Sequence, residues 1–339
     1  MSFMRFAVIT AAIVCLLLGG GQLAHAEITL EWSELPELPA PEGTPGVAGP
    51  FAGISNDALI VAGGVSFPEP SLESSKAWHD DIYVLVRDSD GDDSFRWITG
   101  QKLERSVAYG ASVSTDRGVV CIGGNDAERA FPDVFLLRWD PETERVIQES
   151  LPSLPEPRAS AGAAVIGDTV YVAGGTTGLG LETAQRSFWS LDLSNADDEW
   201  RRIGPWPGPS RAFAVVTSQH NGVEDCLYIM SGRRKGEGGA AEFLTDVYEF
   251  APTRYQAGKY DPETGTSTGD VSPWRRRSDA PRCVMAGAGI AVGQSHILVL
   301  GGFDGSSFNE GDAPGDEYPG FPQEALSYHT ITDTWTTAG

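Results

Sequence analysis

Short apolar runs ending in Gly-Gly, or once in Ser-Gly, punctuate this chain at wide but recurring intervals. ALIVAGG ends at Gly64, VVCIGG at Gly124, TVYVAGG at Gly175, LYIMSG at Gly232 and ILVLGG at Gly302. Each is preceded by a run of small and apolar residues: VAGPFAGIS, VAYGASVS, ASAGAAVIG, AFAVVTS and VMAGAGIAV. A turn separates the two runs, at Asn56-Asp57, Thr115-Asp116, Gly167-Asp168, Asn221-Gly222 and Gly293-Gln294. Apolar runs of this length bounded by turn residues predict strands joined as hairpins. Beyond each glycine pair a loop of variable length leads to a third run, DDIYVL, PDVFLL, FWSLDL, TDVYEF or EALSYH. A fourth follows and carries Trp97, Trp200, Trp274 or Trp335; the second unit has Val146-Ile147 there instead. The penultimate positions 63, 123, 174, 231 and 301 lie 51 to 70 residues apart, so the insertions differ while the order of parts does not.

Four antiparallel strands per unit, repeated at about 50 residues or more, predict an all-β fold, a kelch-type β-propeller. Five complete four-stranded blades are expected, at about residues 46–101, 107–150, 159–203, 211–277 and 284–339, within one domain spanning 27–339. Small residues in each first strand let the sheets crowd around a central axis. The paired glycines supply the positive φ and close backbone approach needed where the second strand leaves the sheet. Residues 27–39, EITLEWSELPELP, resemble a fourth strand with its tryptophan, Trp32, and are expected to be the closing strand of an incomplete sixth blade. The three inner strands of that blade would be expected after Gly339.

Composition agrees with this pattern. The 41 glycines and 22 prolines suit a turn-rich β protein, and no apolar stripe of 3.6-residue period outside the N-terminus calls for a helix. The N-terminus has the parts of a cleavable export signal: Arg5, the apolar run Phe6 to Leu18, and Ala24-His25-Ala26 before Glu27. Residues 1–26 are therefore expected to be removed after Ala26, leaving a periplasmic or secreted protein with no membrane association. Cys121, Cys226 and Cys283 remain, widely spaced in strand-like segments, and are expected as buried free thiols.

A formal net charge of −23 excludes nucleic acid as a partner, because its phosphates would be repelled. Against that background, clustered arginines carry information. In each blade the start of the first strand and the end of the second share one face of the disc. Arg158, Arg211 and Arg282 precede first strands, while Arg233 and Arg234 follow a second strand with Glu237 nearby. Together these residues are expected to form a substrate-binding rim for a carboxylate or phosphate, which the planar guanidinium matches bidentately. The alternative for each arginine is a Pro-Arg turn element whose arginine pairs with an acidic neighbour in the next blade. Asp88 to Asp93 hints at a calcium loop but lacks its sixth-position glycine and its final glutamate, so a solvated turn is expected. His79, His220, His296 and His329 lack metal-ligand spacing, and neither a metal nor a cofactor is expected.

GVAGPFAGISNDALIVAGGVSFP, Gly46 to Pro68, resembles a segment of the bacterial N-acetylneuraminate epimerases, the sialic acid mutarotases. AYGASVSTDRGVVCIGGND, DVYEF, APRCVMAGAG and LGGFDGSSFN resemble other parts of the same family, in a cyclically permuted order. The resemblance implies a six-bladed exported propeller that interconverts the anomers of free sialic acid by acid–base ring opening and reclosure. It also implies a catalytic Glu and Arg in a segment that would begin beyond Gly339. SGRRKGEG, Ser231 to Gly238, is similar to that segment but has Arg233 in place of the Glu, so no catalytic residue is assigned. Such a chain could lack activity. The competing readings are a non-enzymatic sugar-acid-binding propeller and a kelch scaffold for a protein partner. The sequence does not specify an oligomeric state.

Overall fold

The computed structural model describes residues 5–8 (as backbone), 30–39, 46–66, 76–88, 94–195, 198–255, 272–305 and 322–338. These form an all-β, five-bladed propeller in which each blade is a four-stranded antiparallel meander. Blade 1 comprises Phe51–Ser55, Ala58–Ala62, Asp81–Arg87 and Phe95–Lys102. Blade 2 comprises Ala111–Thr115, Gly118–Ile122, Val134–Asp140 and Arg145–Leu151. Blade 3 comprises Gly162–Ile166, Thr169–Ala173, Phe188–Asp192 and Arg201–Ile203. Blade 4 comprises Val215–His220, Asp225–Met230, Val247–Phe250 and Trp274–Arg277. Blade 5 comprises Ala288–Val292, His296–Leu300, Ala325–His329 and Thr334–Ala338. No α-helix occurs among the described residues.

The core lies between blades rather than within one layer. Phe51, Ile60 and Val84 of blade 1 pack against Val119, Leu137 and Trp139 of blade 2. Ala164 and Phe188 of blade 3 likewise meet Leu227, Phe250 and Trp274 of blade 4. A second strand is covered on both faces, which explains why Gly118–Ile122 is buried throughout and reads as a continuous apolar run rather than an alternating one. Cys121, Cys226 and Cys283 are buried and free.

Two backbone ladders join the blades. Near the axis, Tyr109 N–H donates to Gly49 O, Ser160 to Tyr109 O, Phe213 to Ser160 O and Ala286 to Phe213 O, at 2.7–3.0 Å. One layer out, the N–H groups of Gly64, Gly124 and Gly175 donate to the carbonyls of Val107, Arg158 and Arg211 in the next blade, each at 2.8 Å. This second ladder is where glycine is indispensable. A Cβ on Gly123, which has φ +64°, would lie 2.0 Å from the Arg158 carbonyl oxygen. Gly301 of blade 5 has the same conformation, φ +62°, but a Cβ there would meet nothing within 4 Å. Gly49 and Ala286 are not hydrogen-bonded to each other, so among the described residues the ladder runs from blade 1 to blade 5 without closing.

The fourth-strand tryptophans tie the periphery together. Trp200, Trp274 and Trp335 each donate Nε1–H to a carbonyl just beyond the fourth strand of the preceding blade: Pro152, Gly204 and Ser278, at 2.7–3.1 Å. Trp97 of blade 1 makes the corresponding bond to Pro36 at 3.1 Å. The strand before Pro36, Glu31–Glu34, pairs with the backbone of Arg5–Val8 and with no blade strand. Leu30 packs on the opposite neighbour, against Leu298, Ala325 and Ala338 of blade 5. The N-terminal segment thus touches blade 5 at one end and blade 1 at the other. The remainder of the expected export signal and Ser89 to Asp93 of the expected turn lie outside the described residues.

Candidate functional site

The face carrying the Gly-Gly loops is built from a repeated bridge. The residue after each Gly-Gly or Ser-Gly pair (Val65, Asn125, Thr176, Arg233, Phe303) bridges to a residue entering a first strand (Ala48, Ala108, Ala159, Ala212, Met285). The next residue toward the axis has a left-handed backbone in all five blades: Gly49, Tyr109, Ser160, Phe213 and Ala286, with φ between 53° and 62°. Non-glycine residues hold this conformation at a cost of about 1–2 kcal/mol each. The axial ladder fixes it, because both the N–H and the C=O of Tyr109, Ser160 and Phe213 are engaged there.

The side chains at this position converge. The Tyr109 and Phe213 rings meet edge-to-face at 6.4 Å, in front of the small Ser160 of the intervening blade. Trp78, from the short Val65–Ser66/Ala77–Trp78 hairpin of blade 1, meets Tyr109 edge-to-face at 6.1 Å. A cation sits at each end of this row. Lys76 Nζ lies 5.4 Å from the Tyr109 ring centroid, and the Arg233 guanidinium lies 5.0 Å from that of Phe213. All three aromatic rings are half-buried, as is Arg233. Burial holds the Arg233 pKa below the usual arginine value. Beside the row, Ser66 Oγ and His79 Nε2 share a hydrogen bond of 2.7 Å. Phe243 and Phe303 meet at 6.1 Å where the blade 4 hairpin, Arg233–Lys235 with Ala241–Phe243, leans toward blade 5.

The expected arginine rim is not assembled. Arg211 is completely buried and turns outward into the wedge between blades 3 and 4. It donates to Ser231 O at 2.8 Å and to Asp246 Oδ2 at 2.7 Å, and stacks over Trp206 and Tyr248. Arg158, 1% exposed, is paired with Glu156, and burial holds its pKa below the usual arginine value. Both are paired with an acidic residue, as in the alternative, but with one of their own turn or blade rather than of the next blade. Arg282 lies two residues upstream of the position occupied by Arg158 and Arg211; it donates to the carbonyls of Cys283 and Glu324 at 3.2 Å. Arg234 is bound to Glu242 at 2.6 Å, and Glu237 is exposed toward the tip of the blade 4 hairpin. Of the six residues, only Arg233 joins the aromatic row.

Tyr109, Phe213, Trp78 and Lys76 were not anticipated as site residues. A signal for the first two lay in the repeat, which aligns Val107-Ala108-Tyr109, Arg158-Ala159-Ser160 and Arg211-Ala212-Phe213. Only the third position of these triplets alternates between small and aromatic. Separately, a groove of about 520 Å³ lies between the loops of blades 2 and 3, lined by Arg105, Arg129, Phe131, Pro157, Thr177 and Leu179 among others. No group of three or more potential metal ligands occurs among the described residues.

A sequence model described as N-acetylneuraminate epimerase matches residues 21–146 and 151–311. The N-acetylneuraminate epimerase of Brucella suis is 37% identical over 120 residues, which are 32% of this chain and 29% of that protein. The corresponding protein of Haemophilus influenzae is 35% identical over 125 residues, 33% of this chain and 32% of that protein. The chain thus spans about a third of the length of the curated relatives it matches. The solved structure of YjhT superposes with a TM-score of 0.64, covering 91% of this chain and 88% of YjhT at 13% identity, a likeness of fold.

Proposed function

Because the chain belongs to the N-acetylneuraminate epimerase family, we propose that it is a sialic acid mutarotase-like protein, an isomerase acting on free N-acetylneuraminate. The family match over most of the chain carries this reading. The site adds chemical support, since Arg233 stands at the end of an aromatic row near the axis of a strongly acidic protein. A guanidinium there can give a carboxylate a charge-assisted contact, which the net negative charge of the protein disfavours elsewhere.

Anomer exchange requires one group to remove the proton of the anomeric hydroxyl and another to protonate the ring oxygen. The open keto form then rotates and recloses. Among the described residues no carboxylate belongs to the aromatic row, and the nearby Glu242 is held by Arg234. This chain's described residues are therefore read as binding and orienting groups, with no acid or base assigned. We further propose export through residues 1–26, and that Glu31–Glu34 occupies the outer-strand position of a sixth blade. The bond from Trp97 to Pro36, equivalent to those of Trp200, Trp274 and Trp335, supports the latter placement.

The experiment is one-dimensional NMR of N-acetylneuraminate freshly released as its α-anomer, with and without purified protein. Acceleration of equilibration above buffer is expected. An unchanged rate across neutral pH would overturn the mutarotase reading and leave sugar-acid binding as the function to be tested.

A further inference from the structure

We infer that the wedge between blades 2 and 3 binds a small inorganic anion, of the size of chloride, through Arg158 Nη1–H, Trp189 Nε1–H and Ser187 Oγ–H. Such a site does not depend on the sugar chemistry proposed above. It emerges when blade 3 is set beside blade 4.

In blades 1 to 4 the carbonyl at the head of the third strand accepts the N–H of the first residue of the Gly-Gly or Ser-Gly pair, at 2.8–3.0 Å. The residues there are Asp81, Asp133, Ser187 and Asp246. Each aspartate meets a cation: Lys102 at 3.3 Å, Arg105 at 3.1 Å and Arg211 at 2.7 Å, respectively. Blade 3 keeps the arginine of blade 4, as Arg158, but has a serine in place of its carboxylate. The match extends to the neighbours. Trp189 stands two residues beyond Ser187, as Tyr248 stands two beyond Asp246. Trp189 packs into the blade 2–3 core and Tyr248 into the blade 3–4 core. Opposite them on the fourth strands lie Arg202 and Arg276.

Charge that balances in blade 4 does not balance in blade 3. Around Tyr248 two guanidiniums, Arg211 and Arg276, have two carboxylates, Asp246 and Asp279. Around Trp189 the two guanidiniums of Arg158 and Arg202 have one, Glu156, which holds Arg158 Nη2. Arg202 has no acidic partner among the described residues. Burial lowers the Arg158 pKa, Glu156 opposes that shift and the like charge of Arg202 adds to it, so the net displacement is downward.

Hydrogen-bonding capacity is out of balance in the same direction. Arg158 Nη1, Trp189 Nε1 and Ser187 Oγ are all cut off from solvent and have no partner among the described residues. Blade 4 leaves one donor and one acceptor over, Arg211 Nε and Asp246 Oδ1. In blade 3 two of the three groups can only donate, and the third is a hydroxyl with a proton to give. A water accepting from Arg158 and Trp189 would still have two protons to place, with only Ser187 Oγ left to take one. An anion accepts from all three and supplies the missing negative charge, the part played in blade 4 by the Asp246 carboxylate. Donors sealed from solvent point to a single atom rather than an organic acid.

The test is urea unfolding of the full chain in sodium chloride and in sodium gluconate of equal ionic strength, joined to anomalous scattering from bromide-soaked crystals. Chloride should raise the urea midpoint, the folding equilibrium constant gaining about elevenfold at ten times the dissociation constant. Bromide should give a peak within hydrogen-bonding distance of Arg158 Nη1 and Trp189 Nε1. Ser187→Asp restores a carboxylate where blade 4 has one, so it should match wild type in saturating chloride and gain nothing from the ion. Trp189→Phe keeps a ring, deletes one donor and should weaken chloride binding by about tenfold. The phenylalanine variant decides alone if Ser187→Asp does not fold. Equal wild-type midpoints in the two salts would overturn the site, and a bromide peak alongside them would mark an adventitious ion only. A chloride dependence undiminished in either folded variant would place the anion elsewhere and overturn the site too. Absence of bromide at those atoms would do so whatever the midpoints show.

Discussion

Replacing Arg211 by alanine separates a structural arginine from a ligand-binding one. The guanidinium is fully buried, its partner Asp246 is about 10% exposed, and their hydrogen bond is 2.7 Å. Truncation would leave Asp246 charged and buried with no cation, remove the donor to Ser231 O, and open a void beside Trp206 and Tyr248. Breaking a buried pair from one side costs about 3–5 kcal/mol, mostly through the stranded charge. Urea unfolding with an unchanged m-value would report that loss. The companion double variant, Arg211→Met with Asp246→Leu, removes both charges and refills the volume. It should recover most of the deficit, since apolar replacement of a buried pair is often neutral or better. A rim ligand would behave oppositely, with stability within about 0.5 kcal/mol of wild type and sugar-acid binding abolished. That combination would refute the placement of Arg211 in the wedge.

Gly123→Ala and Gly301→Ala impose the same left-handed strain, so their difference isolates the contact with a following blade. Gly301→Ala should cost about 1–2 kcal/mol and Gly123→Ala substantially more by urea midpoint; equal costs would mean that a blade packs on Gly301 as one does on Gly123. Burial pushes the Cys121 thiol up, and burial aided by Glu249 does the same to Cys226. Both, with Cys283, should resist an aromatic disulfide reagent in the native protein and react on unfolding; rapid native labelling would contradict their burial. Burial acts to raise the Asp333 pKa but is outweighed by donation from Ser278 N–H and Tyr328 O–H and by Arg277, so the net shift is downward. A depressed folded-state pKa gives stability that is present above the unfolded value of about 3.9 and lost as pH falls through the folded value. Asp333→Asn should therefore flatten the acid limb of stability below about pH 4, and an unchanged limb would remove Asp333 from that account. Trp97→Phe removes the bond to Pro36 and should increase proteolysis around residues 30–39, whereas unchanged cleavage would detach that segment from blade 1.

The blade pattern was legible because its signals are local. Turn residues, alternating runs and the glycine pair are all set within one hairpin, and the fourth-strand tryptophan marks where one blade meets the next. The fate of the arginines was not local. Whether Arg211 faces the axis or the wedge depends on Asp246, thirty-five residues later and beyond the next hairpin of the same blade. The repeat nevertheless held a usable clue. In the unit register the positions of Arg158 and Arg211 are filled by Val47, Val107 and Val284, the last two buried and the first half-buried. A site occupied by valine in three units is a packing position, so an arginine there must bring its own counter-charge. Arg282 stands outside that register, and its adjacent proline made it resemble the others.

The same alignment inverts the argument for the axial position. There the five units carry Gly49, Tyr109, Ser160, Phe213 and Ala286, and the backbone conformation is common to all. The backbone alone favours a small residue there, since each bulky one adds strain that glycine avoids. The two rings offset that strain by packing across blades: Tyr109 meets Trp78 of blade 1 and Phe213 of blade 4 edge-to-face, over the small Ser160 between them. Phe213 in turn carries the Arg233 guanidinium of its own blade. Aromatic residues at alternate units thus join blades that the ladder links only through backbone, which no single hairpin of the sequence could reveal.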